Sequence, residues 1–163
     1  MHGEIELPSE LLSVAHALEG EIHSLRLCGK IISRTEWESS PQHVRRLIPC
    51  WLMELLARYS ITNVVLERRH EFEEWERYFS FWPPSWYADW LKTDRSIMSR
   101  EIIKDGFFPL SNESDGDMWV TSTTGGPSSP IYIFEQSAWK KTLVGNNLAT
   151  FLASCKVSMN QSM

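Results

Sequence analysis

The chain has 163 residues and a formal net charge of −5, with 21 acidic side chains against 16 Lys and Arg. That length is one domain's worth, enough to bury most apolar surface and too little for a second full domain. The acidic balance argues against a nucleic-acid partner, whose phosphates need clustered cations, and suits a basic protein partner instead. No apolar run approaches the roughly 18 residues of a membrane span, and Met1-His2-Gly3-Glu4-Ile5-Glu6 has no basic region ahead of an apolar core. A cytoplasmic protein with no membrane partner is expected. Cys28, Cys50 and Cys155 are odd in number and widely spaced, which fits neither a disulfide framework nor a CxxC clamp, so they are expected reduced and buried.

Leu11, Ala15, Leu18, Ile22 and Leu25 alternate four- and three-residue steps, which predicts an amphipathic helix from Ser9 to about Leu27 with Pro8 near its start. Residues 33–40 read as a polar connector. Pro41 and Pro49 suit first turns of helices, and Leu52, Leu55, Leu56 and Tyr59 give the second of these an apolar face. Thr62 to Leu66 is a β-branched run, expected as the first strand and ended by Arg68-Arg69-His70. Phe72, Trp75, Phe79 and Trp82 keep helical spacing, which favours a helix over the alternative of an edge strand from Tyr78 to Trp82. Pro83-Pro84 then forces a break before Trp86, Tyr87, Trp90 and Leu91.

Residues Ile97 to Lys104 predict a short helix or extended connector, with Gly106 as pivot. Phe107-Phe108-Pro109-Leu110, Met118-Trp119-Val120-Thr121 and Ile131-Tyr132-Ile133-Phe134 are aromatic and β-branched runs bounded by turn formers, the pattern of successive antiparallel strands. The Gly125-Gly126-Pro127 loop pairs the last two as a hairpin. A closing helix is expected from about Asn147 to Cys155, with Leu148, Phe151, Leu152 and Cys155 inward and Asn146 or Asn147 as cap.

The acidic group Glu113, Asp115 and Asp117 has the oxygen chemistry of a hard-cation site. It lacks the further ligands and terminal bidentate Glu of an EF-hand loop, so a turn with Gly116 at positive φ is the preferred reading. The aromatic belt Trp75, Tyr78, Trp82, Trp86, Tyr87 and Trp90 reads equally as core or as a stacking and binding platform. Eight Trp exceed what packing a core of this size requires, so Trp82, Trp86 or Trp90 is expected to be partly exposed. His16, His23, His43 and His70 form no metal-ligand spacing, and no Gly-x-Ser-x-Gly elbow or phosphate loop occurs. Nothing pairs a nucleophile with a base, so no enzyme, metal or cofactor is expected.

A strand ending in Pro-Leu, a Gly-Asp turn, a Trp-bearing strand, a Gly/Pro loop, a Pro-Ile-Tyr strand and a short closing helix together resemble the SUKH superfamily of bacterial toxin-immunity and cell-wall-assembly-regulator-like proteins. The resemblance covers roughly Ile48 to Cys155 and is carried by Pro109, Leu110, Gly116, Asp117, Trp119, Pro130, Ile131, Tyr132, Phe151 and Leu152. In that family the Gly-Asp pair is a hallmark of the turn. The order of segments predicts a single α+β domain over residues 1–156, helices first, then an antiparallel sheet joined by the strand at Thr62 to Leu66 and a closing helix, with 157–163 as a frayed tail. The resemblance implies a non-enzymatic protein that binds and neutralises a cognate toxin domain, a basic nuclease among the options, as a monomer or weak homodimer. Trp82, Trp86, Trp90, Glu113 and Asp115 are the expected partner surface, and Pro109, Gly116, Asp117 and Trp119 the structural motif. A carbohydrate-binding or small-ligand module using the aromatic belt is the alternative.

Overall fold

The computed structural model describes residues 5–69, 76–93, 97–113 and 116–161. Its architecture is α+β. Helices α1 (Ser9–Ser24), α2 (Arg34–Glu38), α3 (Gln42–Leu47) and α4 (Cys50–Arg58) precede strands β1 (Leu66–Arg69) and β2 (Glu76–Phe79). Helices α5 (Pro84–Thr93) and α6 (Ile97–Lys104) follow, then β3 (Phe107–Asn112), β4 (Met118–Ser122), β5 (Ile131–Glu135), β6 (Lys140–Gly145), α7 (Leu148–Ala153) and β7 (Cys155–Val157).

The periodic face of α1 is buried at Leu11, Ala15, Leu18 and Ile22, while Leu25 lies past the last turn and is exposed. Pro41 and Pro49 each occupy the residue before a helix, where a missing N–H costs no intrahelical bond. The expected connector at 33–40 is instead built around α2, because Ser33 Oγ accepts the Glu36 N–H and caps a turn that buries Trp37. Cys28 and Cys50 are exposed rather than buried.

β3, β4, β5 and β6 form an antiparallel meander in that order, with Met118 opposite Phe134 and Thr121 opposite Ile131 as the hairpin pattern predicts. β6 was not anticipated: its Lys-Lys-Thr-Leu-Val-Gly run is too polar and too short of turn signals to announce a strand. β1 does not join this sheet. It is the centre of a second, three-stranded sheet in the order β2-β1-β7. β1 also starts at Leu66, not Thr62, which makes only isolated bridges to Lys30 and Phe81. Arg68 and Arg69 lie inside the strand they were expected to end.

The helix expected through Trp82 is replaced by β2, which pairs Leu66 with Phe79 and Glu67 with Tyr78; Phe72 and Trp75 lie outside the described residues. Helical spacing over Phe79 and Trp82 arises because both enter one core across the β2 to α5 connection. The expected frayed tail is corrected over its first part. Val157 pairs with Leu66 and is buried, and the Ser158 N–H donates to Val65 O. The Gln161 side chain then brackets Val65, accepting its N–H and donating to its carbonyl.

The core is continuous between helices and sheets. Phe79 and Trp119 rings meet Phe151 at centroid separations of 5.1 and 5.2 Å, which joins both sheets to α7. Each fully buried side chain of this size contributes about 1.5–3 kcal/mol relative to exposure.

Candidate partner-binding surface

Side chains of β3, of Glu113 just after it and of β4 close the outer edge of β2. Glu113 Oε1 accepts the Tyr78 N–H at 3.0 Å, Ser111 Oγ accepts the Ser80 N–H at 2.9 Å, and Trp119 Nε1 donates to Tyr78 O at 3.1 Å. Trp82 Nε1 donates to Asn112 Oδ1 at 3.1 Å. These bonds satisfy backbone groups that would otherwise be orphaned at a buried strand edge. Asp117 anchors the same seam: its Oδ1 accepts the Gln136 N–H at 2.9 Å and its Oδ2 lies 3.5 Å from Arg77. Gly116 has φ +95°, and a Cβ there would collide with Gln136 Oε1. The Gly-Asp pair therefore makes the turn and then ties it to the next one. Asp115 lies outside the described residues.

Two of the three tryptophans expected to meet a partner are instead core. Trp82 and Trp90 are 5% and 7% exposed, whereas Trp86 is 52% exposed. The reason is the start of α5 at Pro84: Tyr87 and Trp90 fall on its inward stripe, while Trp86 points outward. Trp82 packs on Tyr87, Trp90 and Trp86 at centroid distances of 5.1, 6.1 and 6.2 Å. Tyr87 donates its hydroxyl to Pro109 O at 2.6 Å, and burial drives its pKa above the ordinary range. Trp86 is thus an exposed ring on an immobilised aromatic stack.

Asp89, one turn beyond Trp86, is exposed on the same side of α5. Beside Ser85 runs a shallow shelf of about 510 Å³ whose lining includes Ser33, Thr35, Ser39, Ser40, Pro83 and Ser85. Glu113, by contrast, is turned inward to Tyr78 and belongs to the seam.

A second exposed apolar surface went unread in the sequence. The register places Val120, Tyr132 and Leu143 on one face of the meander, with Met118, Phe134 and Lys141 beside them. Val120 and Met118 are buried, but Leu143 is 53% and the neighbouring Trp139 52% exposed. Trp139 stacks edge-on against Phe134 at 5.8 Å, and Lys141 Nζ sits 4.2 Å over Phe107 and 4.6 Å over Tyr132. The Trp-Lys-Lys-Thr-Leu run was the available signal, with Trp139 and Leu143 each two residues from Lys141 and so on its face of a strand.

Among the described residues, no group of three or more His, Cys, Asp or Glu stands where it could hold a metal ion, and no helix is long and apolar enough to cross a membrane. Burial pushes the Cys155 thiol up to about 12, with Arg68 opposing, which leaves it protonated and unreactive at neutral pH. Glu54 is nearly buried; desolvation raises its carboxyl, but hydrogen bonds from Arg34 and Arg58 outweigh it and hold the group below the ordinary value. Its two cations make it a strut between α2 and α4. Comparison of the chain with protein-family models, with curated proteins and with solved structures finds no match.

Proposed function

We propose that the chain is a non-enzymatic immunity-type protein, related to the SUKH superfamily, that binds and neutralises a toxin domain through the outer side of α5 with Trp86 as anchor. The observation that carries this reading is Trp86 itself: a half-exposed indole on a rigid stack loses little conformational entropy on binding, the property that makes tryptophan a frequent hot spot. Asp89 beside it and the overall charge of −5 suit a basic partner, such as a nuclease domain, and speed its approach at low salt. The sequence resemblance is what suggests the class; the residues that carry it, among them Trp119, Gly116 and Asp117, serve the fold and not the α5 face.

The test is protection of cells against candidate toxin domains, basic nuclease domains first. Wild type is expected to protect and Trp86→Ala to protect poorly at equal abundance; equal protection by both refutes the assignment of the face. A second reading has its own observation. The shelf beside Ser85, whose lining joins the hydroxyls of Ser33, Thr35, Ser39, Ser40 and Ser85 to Lys30 and Glu36, suits a neutral sugar, and calorimetric titration with neutral oligosaccharides distinguishes it, since only that reading gives saturable heat.

A further inference from the structure

Helix α2 has a second side. Ser33, Thr35 and Ser39 line the shelf beside α5, while Arg34, Trp37 and Glu38, three and four residues apart, line a separate cleft of about 490 Å³. Arg45 of α3 and Met53 and Glu54 of α4 form its other walls. That volume falls within the range of small-ligand sites, roughly 300–1,000 Å³. The charges in the cleft divide into paired and unpaired. Glu54 is nearly buried and accepts both Arg34 and Arg58, so Arg34 and Glu54 neutralise each other within the wall. Arg45 uses only its Nε, donating to Ser40 O at 3.1 Å, and among the described residues Glu38 makes no ion pair or hydrogen bond. The cleft therefore holds one unpaired cation and one unpaired carboxylate, too far apart to join each other. Buried Trp37 and half-buried Ile5 and Met53 supply its apolar part.

We propose that this cleft binds a small zwitterion with an apolar side chain, a free amino acid or a dipeptide, its carboxylate on the Arg45 guanidinium and its ammonium on Glu38. The unpaired charges choose the class. A guanidinium whose terminal nitrogens are uncommitted suits the two oxygens of a carboxylate. A simple anion would leave Glu38 facing like charge, and a simple cation would do the same to Arg45, whereas a zwitterion satisfies both. A phosphate is disfavoured further, since its second charge meets the carboxylates of Glu38 and Glu54 in one wall. The apolar side chain then lies against Trp37 and Met53. This site is independent of the α5 face, from which α2 separates it, so failure of either assignment leaves the other standing.

The probes are leucine and leucyl-leucine, titrated calorimetrically into the full chain beside their N-acetyl forms, which lack the ammonium, and their C-terminal amides, which lack the carboxylate. Cys50 gives an independent readout, because its exposed thiol lines the cleft and the exposed Cys28 does not. Saturable heat is expected with at least one zwitterion, together with slowed maleimide labelling of Cys50 and unchanged labelling of Cys28. Tighter binding of leucyl-leucine assigns the cleft to peptides, and tighter binding of leucine to the free amino acid. The acetylated and amidated forms are each expected to bind at least about tenfold more weakly. Arg45→Gln should abolish the discrimination against the amide, and Glu38→Gln the discrimination against the acetylated form. Both side chains are exposed, and unchanged thermal midpoints keep loss of binding distinct from loss of fold. Absence of heat and of Cys50 protection at millimolar probe, equal binding of the acetylated or amidated forms, or equal slowing at Cys28 would each overturn the proposal.

Discussion

The two sheets are held together by different means. The meander β3-β4-β5-β6 closes through turns between neighbours in sequence, with positive φ at Gly116 and Gly126. The β2-β1-β7 sheet brings Leu66 beside Val157, and its β2 edge is sealed by side chains of the meander rather than by a backbone ladder. One sheet is therefore a local structure, and the other is completed only when β7 returns from the end of the chain to β1. Loop closure of that span costs entropy that only the shared core of Phe79, Trp119 and Phe151 repays.

Substitutions should separate these contributions. Trp119→Ala strikes both sheets, leaving a cavity against Phe79 and Phe151 and orphaning Tyr78 O. It is expected to cost about 3–5 kcal/mol in urea unfolding, and a loss below 1 kcal/mol would break the idea of a shared seam. Val157→Ala touches only the three-stranded sheet, where two buried methyl groups and their cavity are worth about 2 kcal/mol. Hydrogen exchange in that variant should rise first at residues 66–69 while 118–134 remain protected. Gly116→Val acts on the meander alone, and the strain of a β-branched residue at positive φ is expected to lower stability by about 1–2 kcal/mol.

The helical layer gives a smaller, pH-dependent effect. The Ser60 backbone N–H, 2.7 Å from Glu19 Oε2, is the main reason Glu19 sits below the ordinary carboxylate value of 4.5, and Glu54 is held below it by Arg34 and Arg58. Groups depressed on folding contribute stability that is complete above about pH 4.5 and lost as pH falls through their folded values. Urea midpoints should therefore drop between pH 5 and pH 3, and the Glu19→Gln, Glu54→Gln double variant should show a shallower drop from a lower plateau.

What the sequence disclosed follows the same division. α1, α4 and the three aromatic strands carry their periodicity within a few residues, and turn formers bound the strands, so their type and pairing could be read directly. β1, β2 and β7 have no such local signature. Val157 looks like a tail because its partner is Leu66, and Phe79 looks helical because its spacing to Trp82 spans a connection. The site was legible only in part. Trp86 is exposed as expected, but separating it from Trp82 and Trp90 required knowing that α5 starts at Pro84, and the exposed Trp139 was passed over because a polar lysine strand hides it.

Among the described tryptophans five are buried, Trp37, Trp51, Trp82, Trp90 and Trp119, which leaves Trp86 and Trp139 as the rings available to a partner. The most direct measurement, once a toxin domain that the wild-type chain neutralises is in hand, is its dissociation rate from Trp86→Ala, recorded beside the variant's thermal midpoint. The variant should melt within the small range expected of a surface change, about 0.5 kcal/mol, yet dissociate on the order of thirtyfold faster, as an anchor worth about 2 kcal/mol requires. An unchanged dissociation rate in a folded Trp86→Ala protein contradicts the account.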